Sequence, residues 1–157
     1  MQFVSTWTVP GTDQLVYLQQ QPMEIFRRYI QEGESSTEAG GILLGHVRGE
    51  HLEIIEATEP SAWDRRFRFL FERMPCFHHR LAMKRWKESG GLIRYVGEWH
   101  THPQNYPAPS SIDLREWQLL ATGRRDGRPM LALIVGCLDL HIEYMFGSGK
   151  RRILKHY

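Results

Sequence analysis

The sequence predicts a single globular domain of the mixed α/β (α+β) class over residues 1–157, and three observations lead to this expectation. The chain has 157 residues, with 41% hydrophobic and 24% charged, which suits one substantial core. Short runs of β-branched and aromatic residues bounded by glycine and proline indicate strands. Stretches with apolar residues at helical spacing lie between those runs, so strands and helices alternate.

In the first third of the chain, four strands and one helix are predicted. Pro10-Gly11 separates the first two strands, and Gly49-Glu50 is a hairpin signal between the next two. The four strands are residues 3–9, 14–18, 40–48 and 51–58. A helix is predicted between the two pairs, because Pro22 suits a first helical turn and apolar residues follow at helical spacing until Gly33.

The rest of the chain continues this alternation. Alternating basic and aromatic residues predict a half-buried strand, and two amphipathic stretches predict helices that end at Gly90 and Gly123. The predicted strands are residues 66–71, 92–102, 129–137, 138–146 and 151–157, and the predicted helices are residues 78–89 and 111–122. Residues 129–137 are almost entirely apolar, so that strand is expected to lie buried at the centre of the sheet.

Charge and cysteine content argue against several classes of protein. The formal net charge is +2, so the basic clusters are interpreted as solvated surface. Cys76 and Cys137 lie far apart and outside any Cys-x-x-Cys pattern, which argues against a disulfide framework or a thiolate zinc site and predicts reduced, buried thiols. Without a signal sequence or a run of about eighteen apolar residues, a cytoplasmic protein with no membrane contact is expected.

The most informative segment is Glu98–Asp113, which carries two histidines two residues apart and ends on an acid. In a strand, His100 and His102 point to the same face roughly 6 to 7 Å apart, so both imidazoles can reach one ion. Two imidazoles and the Asp113 carboxylate suit a catalytic zinc, which keeps one coordination position open for water. Taken alone, Ser110-x-x-Asp113 is more typical of a serine-capped helix start, and the two interpretations are compatible.

Residues 100–113 resemble the signature of the JAMM (JAB1/MPN/Mov34) metallopeptidases, His-Ser/Thr-His-x7-Ser-x2-Asp, at every chemical position. In that family a glutamate precedes a glycine-rich hydrophobic strand upstream, and Thr37–Gly45 is similar to that element. The resemblance spans residues 38–113. It implies a JAB/MPN (cytidine-deaminase-like) fold, which is a curved mixed β-sheet flanked by helices.

The same resemblance implies roles for individual residues. Zinc would be held by His100, His102 and Asp113, with a water in the fourth position. Glu38 would take a proton from that water and pass it to the leaving amine, and Ser110 would donate a hydrogen bond to the developing oxyanion. The expected activity is that of a zinc metallopeptidase that cleaves a peptide or lysine isopeptide bond.

Glu98 is a rival candidate for the base, because it shares strand parity with both histidines. The alternative role for Glu98 is that of a partner that orients an imidazole. The more familiar family pattern has an aromatic residue at this position. Trp99 and Trp117 are interpreted as packing residues, and His78 and His79 as surface residues, since neighbours on a helix diverge by about 100°.

Gly97-Glu-Trp-His-Thr-His-Pro103, followed by Pro-Ser-Ser-x-Asp, also resembles the short stand-alone JAB proteins of CBASS antiphage operons. In those systems a ligase attaches the C-terminus of a CD-NTase to targets, and the JAB protein removes it. The implied partners are a ubiquitin-like modifier or a protein conjugated through its C-terminus, with a CD-NTase as the expected conjugate, and its target. The loop 103–109 and the segment 57–68 are expected to line the substrate groove.

Two other functions fit the same residues. A JAB peptidase could process a sulfur-carrier protein, and a non-catalytic MPN scaffold would bind partners without cleaving them. The full set of ligands and base favours an enzyme over a scaffold. A nucleic-acid partner is disfavoured, because the basic clusters lack a recognisable binding motif.

Overall fold

The computed structural model describes residues 2–157, and this part of the chain forms eleven strands and three helices. The strands are β1 Thr6–Thr8, β2 Leu15–Leu18, β3 Gly40–Arg48, β4 His51–Ala57, β5 Arg65–Arg66, β6 Phe71–Glu72, β7 Arg94–Thr101, β8 Met130–Val135, β9 Leu140–Met145, β10 Arg151–Ile153 and β11 Lys155–His156. The helices are α1 Gln20–Arg28, α2 Pro75–Glu88 and α3 Ser111–Thr122. This alternation confirms the mixed α/β class.

Nine of the strands form one mixed sheet in the order β10-β9-β8-β7-β3-β4-β2-β1-β11. The β2–β4 and β7–β8 pairs are parallel, whereas the other neighbouring pairs are antiparallel. The predicted hairpin is confirmed, with Arg48 opposite His51. Because β3 pairs with β4 on one side and with β7 on the other, it fixes the position of β7 within the sheet.

The last strands join the two ends of this sheet. β10 and β11 are consecutive in the chain and separated by Leu154 alone, yet β10 pairs with β9 at one end and β11 with β1 at the other. The sheet therefore curves until its ends meet at this C-terminal seam, residues 151–157. The single strand predicted there is split in two, because Leu154 turns inward and is only 4% exposed.

Strand β8 separates two clusters of apolar side chains. All six of its residues are buried, as its apolar run predicted. Side chains alternate between the faces of a strand, so Leu131 and Leu133 join the main core while Met130 and Ala132 join a second cluster that includes Trp117 of α3. Trp117 is thereby confirmed as a packing residue.

The three helices cover the curved sheet. α1 packs against β4, α2 against β7 and β3, and α3 against β8 and β9. A curved mixed sheet flanked by helices is therefore confirmed. Within residues 2–157, the structure contains no helix long and apolar enough to cross a membrane.

The strand predicted over residues 66–71 is wrong, because the chain reverses within it. β5 and β6 pair with each other as a small antiparallel hairpin, and Phe67 N donates to Leu70 O at 2.8 Å across the turn. Phe67 and Phe69 are 50% and 73% exposed. Their alternation with arginines is typical of a strand, but it cannot reveal a turn that brings the two halves side by side.

Two smaller expectations also differ from the structure. α2 begins at Pro75 rather than at residue 78, since proline at the first helical turn needs no backbone N–H partner. Cys76 and Cys137 are free thiols, as predicted, but Cys76 is exposed and Cys137 is half-buried.

Candidate active site

The end of β7 presents two histidines to a cleft of about 810 Å³. His100 and His102 are each 9% exposed, and their Nε2 atoms lie 3.1 Å apart. The sequence predicted that both rings face one side of the strand, and the geometry agrees. Two imidazole nitrogens that point at each other at this distance leave room for one small ion beside both.

Asp113 reaches the same point from the first turn of α3. Its Oδ1 lies 3.3 Å from His100 Nε2, and its Oδ2 lies 3.3 Å from His102 Nε2. The carboxylate is fixed by a capping box, in which Ser110 N donates to Asp113 Oδ2 at 2.8 Å and Asp113 N donates to Ser110 Oγ at 3.1 Å. Asp113 therefore completes the helix cap and still places a carboxylate oxygen beside each histidine. The two interpretations of Ser110-x-x-Asp113 thus fit the same geometry.

Glu38 completes the group from the segment that precedes β3. Its Oε1 lies 3.9 Å from His102 Nε2, and ligand atoms of Glu38, His100 and His102 all lie within 4.8 Å of one another. The backbone here is held from two sides: Thr101 Oγ1 accepts from Ala39 N at 3.0 Å, and Glu38 N donates to Phe67 O at 2.6 Å. The glutamate far upstream in sequence is thus placed beside both histidines.

The acids and the histidines of this group perturb one another's pKa values. Burial raises the pKa of Glu38 to about 8, although the nearby His102 opposes this. Burial also acts to raise the pKa of Asp113, but hydrogen bonds with His100 and His102 outweigh it and hold that pKa far below its usual range. Burial acts to lower the pKa of His102, and its bonds to Asp113 and Gln104 reverse that shift. The buried carboxylates are stabilised by positive charge, which a metal cation would supply.

The tautomer of His102 suits a metal ligand. Its Nδ1 lies 3.1 Å from Gln104 Oε1, and an amide oxygen only accepts hydrogen bonds, so Nδ1 carries the proton. Nε2 faces His100 and Asp113, where a bound metal ion would take the place of a proton. Gln104 is itself fixed by Ala108 N, which donates to the same oxygen at 3.1 Å. The chemistry of two imidazole nitrogens and a carboxylate oxygen fits zinc.

Ser110 lies at the cleft with its hydroxyl proton uncommitted to the helix cap. The Oγ atom accepts from Asp113 N, so its own O–H can donate to a group in the cleft. This leaves the serine able to act both as a cap and as a donor to substrate.

Glu98 lies outside the cluster of ligand atoms. Arg73 donates to its Oε1 from Nε at 2.9 Å, and Arg73 Nη2 lies 2.8 Å from the same oxygen. Burial raises the pKa of Glu98 to about 7, while Arg73 acts to lower it. The geometry therefore favours a positioning role over that of a second base. Arg73 was not identified from the sequence, because nothing there showed that the hairpin brings it to the cleft.

Only one of the two segments predicted to line the substrate groove lines this cleft. Pro103, Gln104, Ala108 and Pro109 of the predicted loop line the cleft. The segment 57–68 does not; the lining comes instead from residues 69–73, just beyond it. The small hairpin presents its turn and its second strand to the cleft.

The surface prediction for His78 is wrong. This ring is fully buried, with Nδ1 2.7 Å from Thr58 Oγ1 and Nε2 2.8 Å from Asp64 Oδ2. His79 is exposed as predicted, and Trp99, at 1% exposed, is confirmed as a packing residue. The two adjacent histidines diverge on the helix as expected, but His78 points into the protein and His79 points to solvent.

Comparisons with known proteins agree with this fold. The family described as prokaryotic homologs of the JAB domain matches residues 23–147. The chain is 50% identical over 150 residues to a CD-NTase/cGAS isopeptidase of Pseudomonas aeruginosa (strain BWHPSA011), covering 96% of this chain and 95% of that protein. It is 39% identical over 127 residues to a protein of the same name from Escherichia coli (strain TW11681), covering 81% and 80%.

A more distant relative and a solved structure extend the comparison. A CD-NTase/cGAS isopeptidase of Vibrio cholerae is 32% identical over 126 residues, covering 80% of this chain and 76% of that protein. The solution structure of protein DSY2949 from Desulfitobacterium hafniense superposes with a TM-score of 0.62 at 17% identity, covering 88% of each chain. At that identity the solved structure supports the fold alone.

Proposed function

The chain belongs to the prokaryotic JAB family, and from that premise we propose that it is a zinc-dependent isopeptidase. The observation that carries the proposal is the convergence of two imidazoles and two carboxylates in one cleft, from three separate segments of the chain. Such a group is costly to bury without a cation. A scaffold without catalysis would have no need of it.

The proposed substrate is a CD-NTase joined through its C-terminus to another protein. Relatives with this name cover most of the chain, and the P. aeruginosa protein is identical at half of the aligned positions. The chain is accordingly an isopeptidase that reverses CD-NTase conjugation in a bacterial antiphage (CBASS) system. The proposed bond lies between the last carbonyl of the CD-NTase and a lysine amine of its target.

His100, His102 and Asp113 are the proposed ligands of zinc. Zinc bound there would lower the pKa of a water toward about 7 and polarise the carbonyl to be cleaved. The protein's own contribution is to orient two of these groups, His102 through its contact with Gln104 and Asp113 through the capping box.

Glu38 is the proposed proton carrier. It is 4% exposed and adjacent to His102, so a water held in the cleft can pass it a proton without competition from bulk solvent. Burial raises the pKa of this carboxyl in the metal-free chain, and a glutamate that has taken the proton of the water can deliver it to the leaving lysine amine.

Ser110 is the proposed donor to the oxyanion. When water attacks the carbonyl, negative charge develops on its oxygen, and the Ser110 hydroxyl is free to donate a hydrogen bond to it. The helix cap fixes the position of Oγ before the substrate arrives, so little reorganisation is needed.

The test uses a cognate CD-NTase fused through its C-terminus to a reporter protein. We expect the purified zinc-loaded chain to cleave at the junction, Glu38→Gln to abolish turnover while retaining zinc, and the exposed control Glu32→Gln to behave as wild type. Metal analysis and cleavage are measured on the same samples. An intact fusion after incubation with the zinc-loaded wild type, or equal rates with Glu38→Gln, would contradict the proposal.

A further inference from the structure

Arg73 lines the cleft but has no role in the catalytic steps proposed above. It lies directly between β6 and α2, and its side chain is 22% exposed. Of the residues lining the cleft in the described part of the chain, it is the only lysine or arginine. Neither the charge nor the hydrogen-bond donors of Arg73 are used in those steps.

Its guanidinium is held in place from one side. Nε and Nη2 both contact Glu98 Oε1, at 2.9 and 2.8 Å, and Glu98 is on β7 two residues before His100. The Glu98 side chain is 13% exposed, and its Oε2 is buried with no hydrogen-bond partner among residues 2–157. The Tyr95 hydroxyl, on the same strand, is also buried without one. Glu98 therefore binds Arg73 through Oε1, while its Oε2 lies buried in the protein.

This arrangement leaves part of the guanidinium free. An arginine has five N–H donors in a planar fork; here Nε donates to Glu98 Oε1, and Nη2 lies 2.8 Å from the same oxygen. No other hydrogen bond from this side chain is found within the described residues, so the remaining donors are open to a molecule in the cleft. A side chain that is anchored on one edge and free on the other is preorganised for binding.

The neighbours of Arg73 indicate which acceptor it would meet. Glu72 and Glu116 also line the cleft, and their negative charge disfavours an acidic ligand. Phe69, Phe71 and Leu119 supply apolar surface on its walls. An extended peptide offers uncharged carbonyl oxygens at every residue together with apolar side chains, and it matches this mixture of donor and apolar wall.

We infer that Arg73 is a substrate-binding residue whose guanidinium, held by Glu98, donates hydrogen bonds to backbone carbonyl oxygens of the substrate's C-terminal tail. Glu98 is a positioning residue that acts through Arg73. This inference rests on the proposed isopeptidase function and extends it by naming what holds the tail.

The experiment measures kcat and KM with the CD-NTase–reporter fusion. An interaction made equally in the ground state and the transition state changes KM and leaves kcat nearly unaltered. We expect Arg73→Ala to raise KM about 10- to 100-fold, as loss of charge-assisted hydrogen bonds does, and Glu98→Gln to raise KM by less. Guanidinium chloride at millimolar concentration should restore part of the lost affinity of Arg73→Ala.

The matched control is Arg85→Ala, which removes a bidentate partner of Glu56 outside the cleft. It should leave KM unchanged and show no response to guanidinium. An unchanged KM in Arg73→Ala, a loss confined to kcat, or the absence of guanidinium rescue overturns the inference. The inference is also overturned if Tyr95→Phe raises KM as much as Glu98→Gln does while Arg73→Ala leaves KM unchanged. If wild type fails to cleave the fusion, the proposed function falls and takes this inference with it, whereas the other outcomes leave that function standing.

Discussion

The indole of Trp99 donates a hydrogen bond from Nε1 to the backbone oxygen of Thr58 at 2.9 Å. Trp99 lies on β7 immediately before His100, and its buried side chain packs in the main core. The Thr58 hydroxyl in turn accepts from Ile42 N at 2.9 Å and lies 2.7 Å from His78 Nδ1. The strand that bears the proposed ligands is thereby fixed from behind by a buried polar network.

The first prediction concerns the pH dependence of this network. Burial lowers the pKa of His78, so the folded protein holds a neutral ring, whereas the unfolded chain titrates at about 6.5. The stability that His78 contributes is present above the unfolded pKa and is lost as pH falls through the lower folded pKa. We expect the melting temperature of wild type relative to that of His78→Asn to fall from pH 7.5 to pH 5.

Asp64 adds a second step at lower pH. Burial acts to raise its pKa, but hydrogen bonds from His78, Ser61 N and Met74 N outweigh this and lower it. Its contribution is present above the ordinary aspartate pKa and is lost as pH falls further. The exposed neighbour variant His79→Asn is the control for the His78 measurement and should keep the wild-type slope; a His78→Asn slope as steep as wild type contradicts the assignment.

The second prediction concerns Gln104, which fixes the tautomer of His102. Replacing an outer partner of a metal-bound histidine costs about 10- to 100-fold in metal affinity. We expect Gln104→Ala to weaken zinc binding by that factor, measured by competition with a chromophoric chelator. Asn105→Ala, an exposed change in the same loop, is the control. Equal zinc affinities for the two variants would show that the contact between Gln104 and His102 does not contribute to zinc binding.

The third prediction separates the two roles of Ser110. Ser110→Ala removes both the cap acceptor and the free hydroxyl, so we expect a loss of about 1 kcal/mol in the free energy of unfolding and a fall in kcat of about tenfold to thousandfold. Ser110→Thr retains both groups and should stay close to wild type in stability and turnover. Full kcat in the alanine variant, measured on the folded fraction, argues against the oxyanion role.

The fourth prediction concerns the close approach of the small hairpin to β3. A Cβ added at Gly40 would lie 2.6 Å from both the Phe71 ring and the Trp99 backbone oxygen. We expect Gly40→Ala to cost about 1 to 3 kcal/mol of stability through overpacking, and Phe71→Ala in the same chain to recover part of it.

The matched control for Gly40→Ala is Gly123→Ala. The Gly123 backbone has φ −78, and its nearest atoms would be 3.6 and 3.7 Å from an added Cβ. Chemical denaturation of the single and double variants measures the coupling between positions 40 and 71. Additive effects of the two changes contradict the steric account.

Much of the site could be predicted from the sequence, because strand parity places His100 and His102 together and the family motif adds Glu38. The roles of these residues remain a proposal. Local patterns could not show which turn reverses the chain, so the hairpin and Arg73 were missed. They also could not show that one face of α2 is internal, so the burial of His78 was unexpected. Such features depend on contacts between residues far apart in the chain.

The C-terminal seam sets the order in which the molecule can be completed during synthesis. Until residues 151–157 leave the ribosome, β1 has a partner only in β2, and β9 only in β8. One late segment then satisfies both, with Trp7 opposite His156 and Arg151 opposite Met145. Closure of the sheet therefore depends on contacts between distant parts of the chain, and a chain that lacks residues 151–157 would display two hydrogen-bonding edges that can template association with other strands.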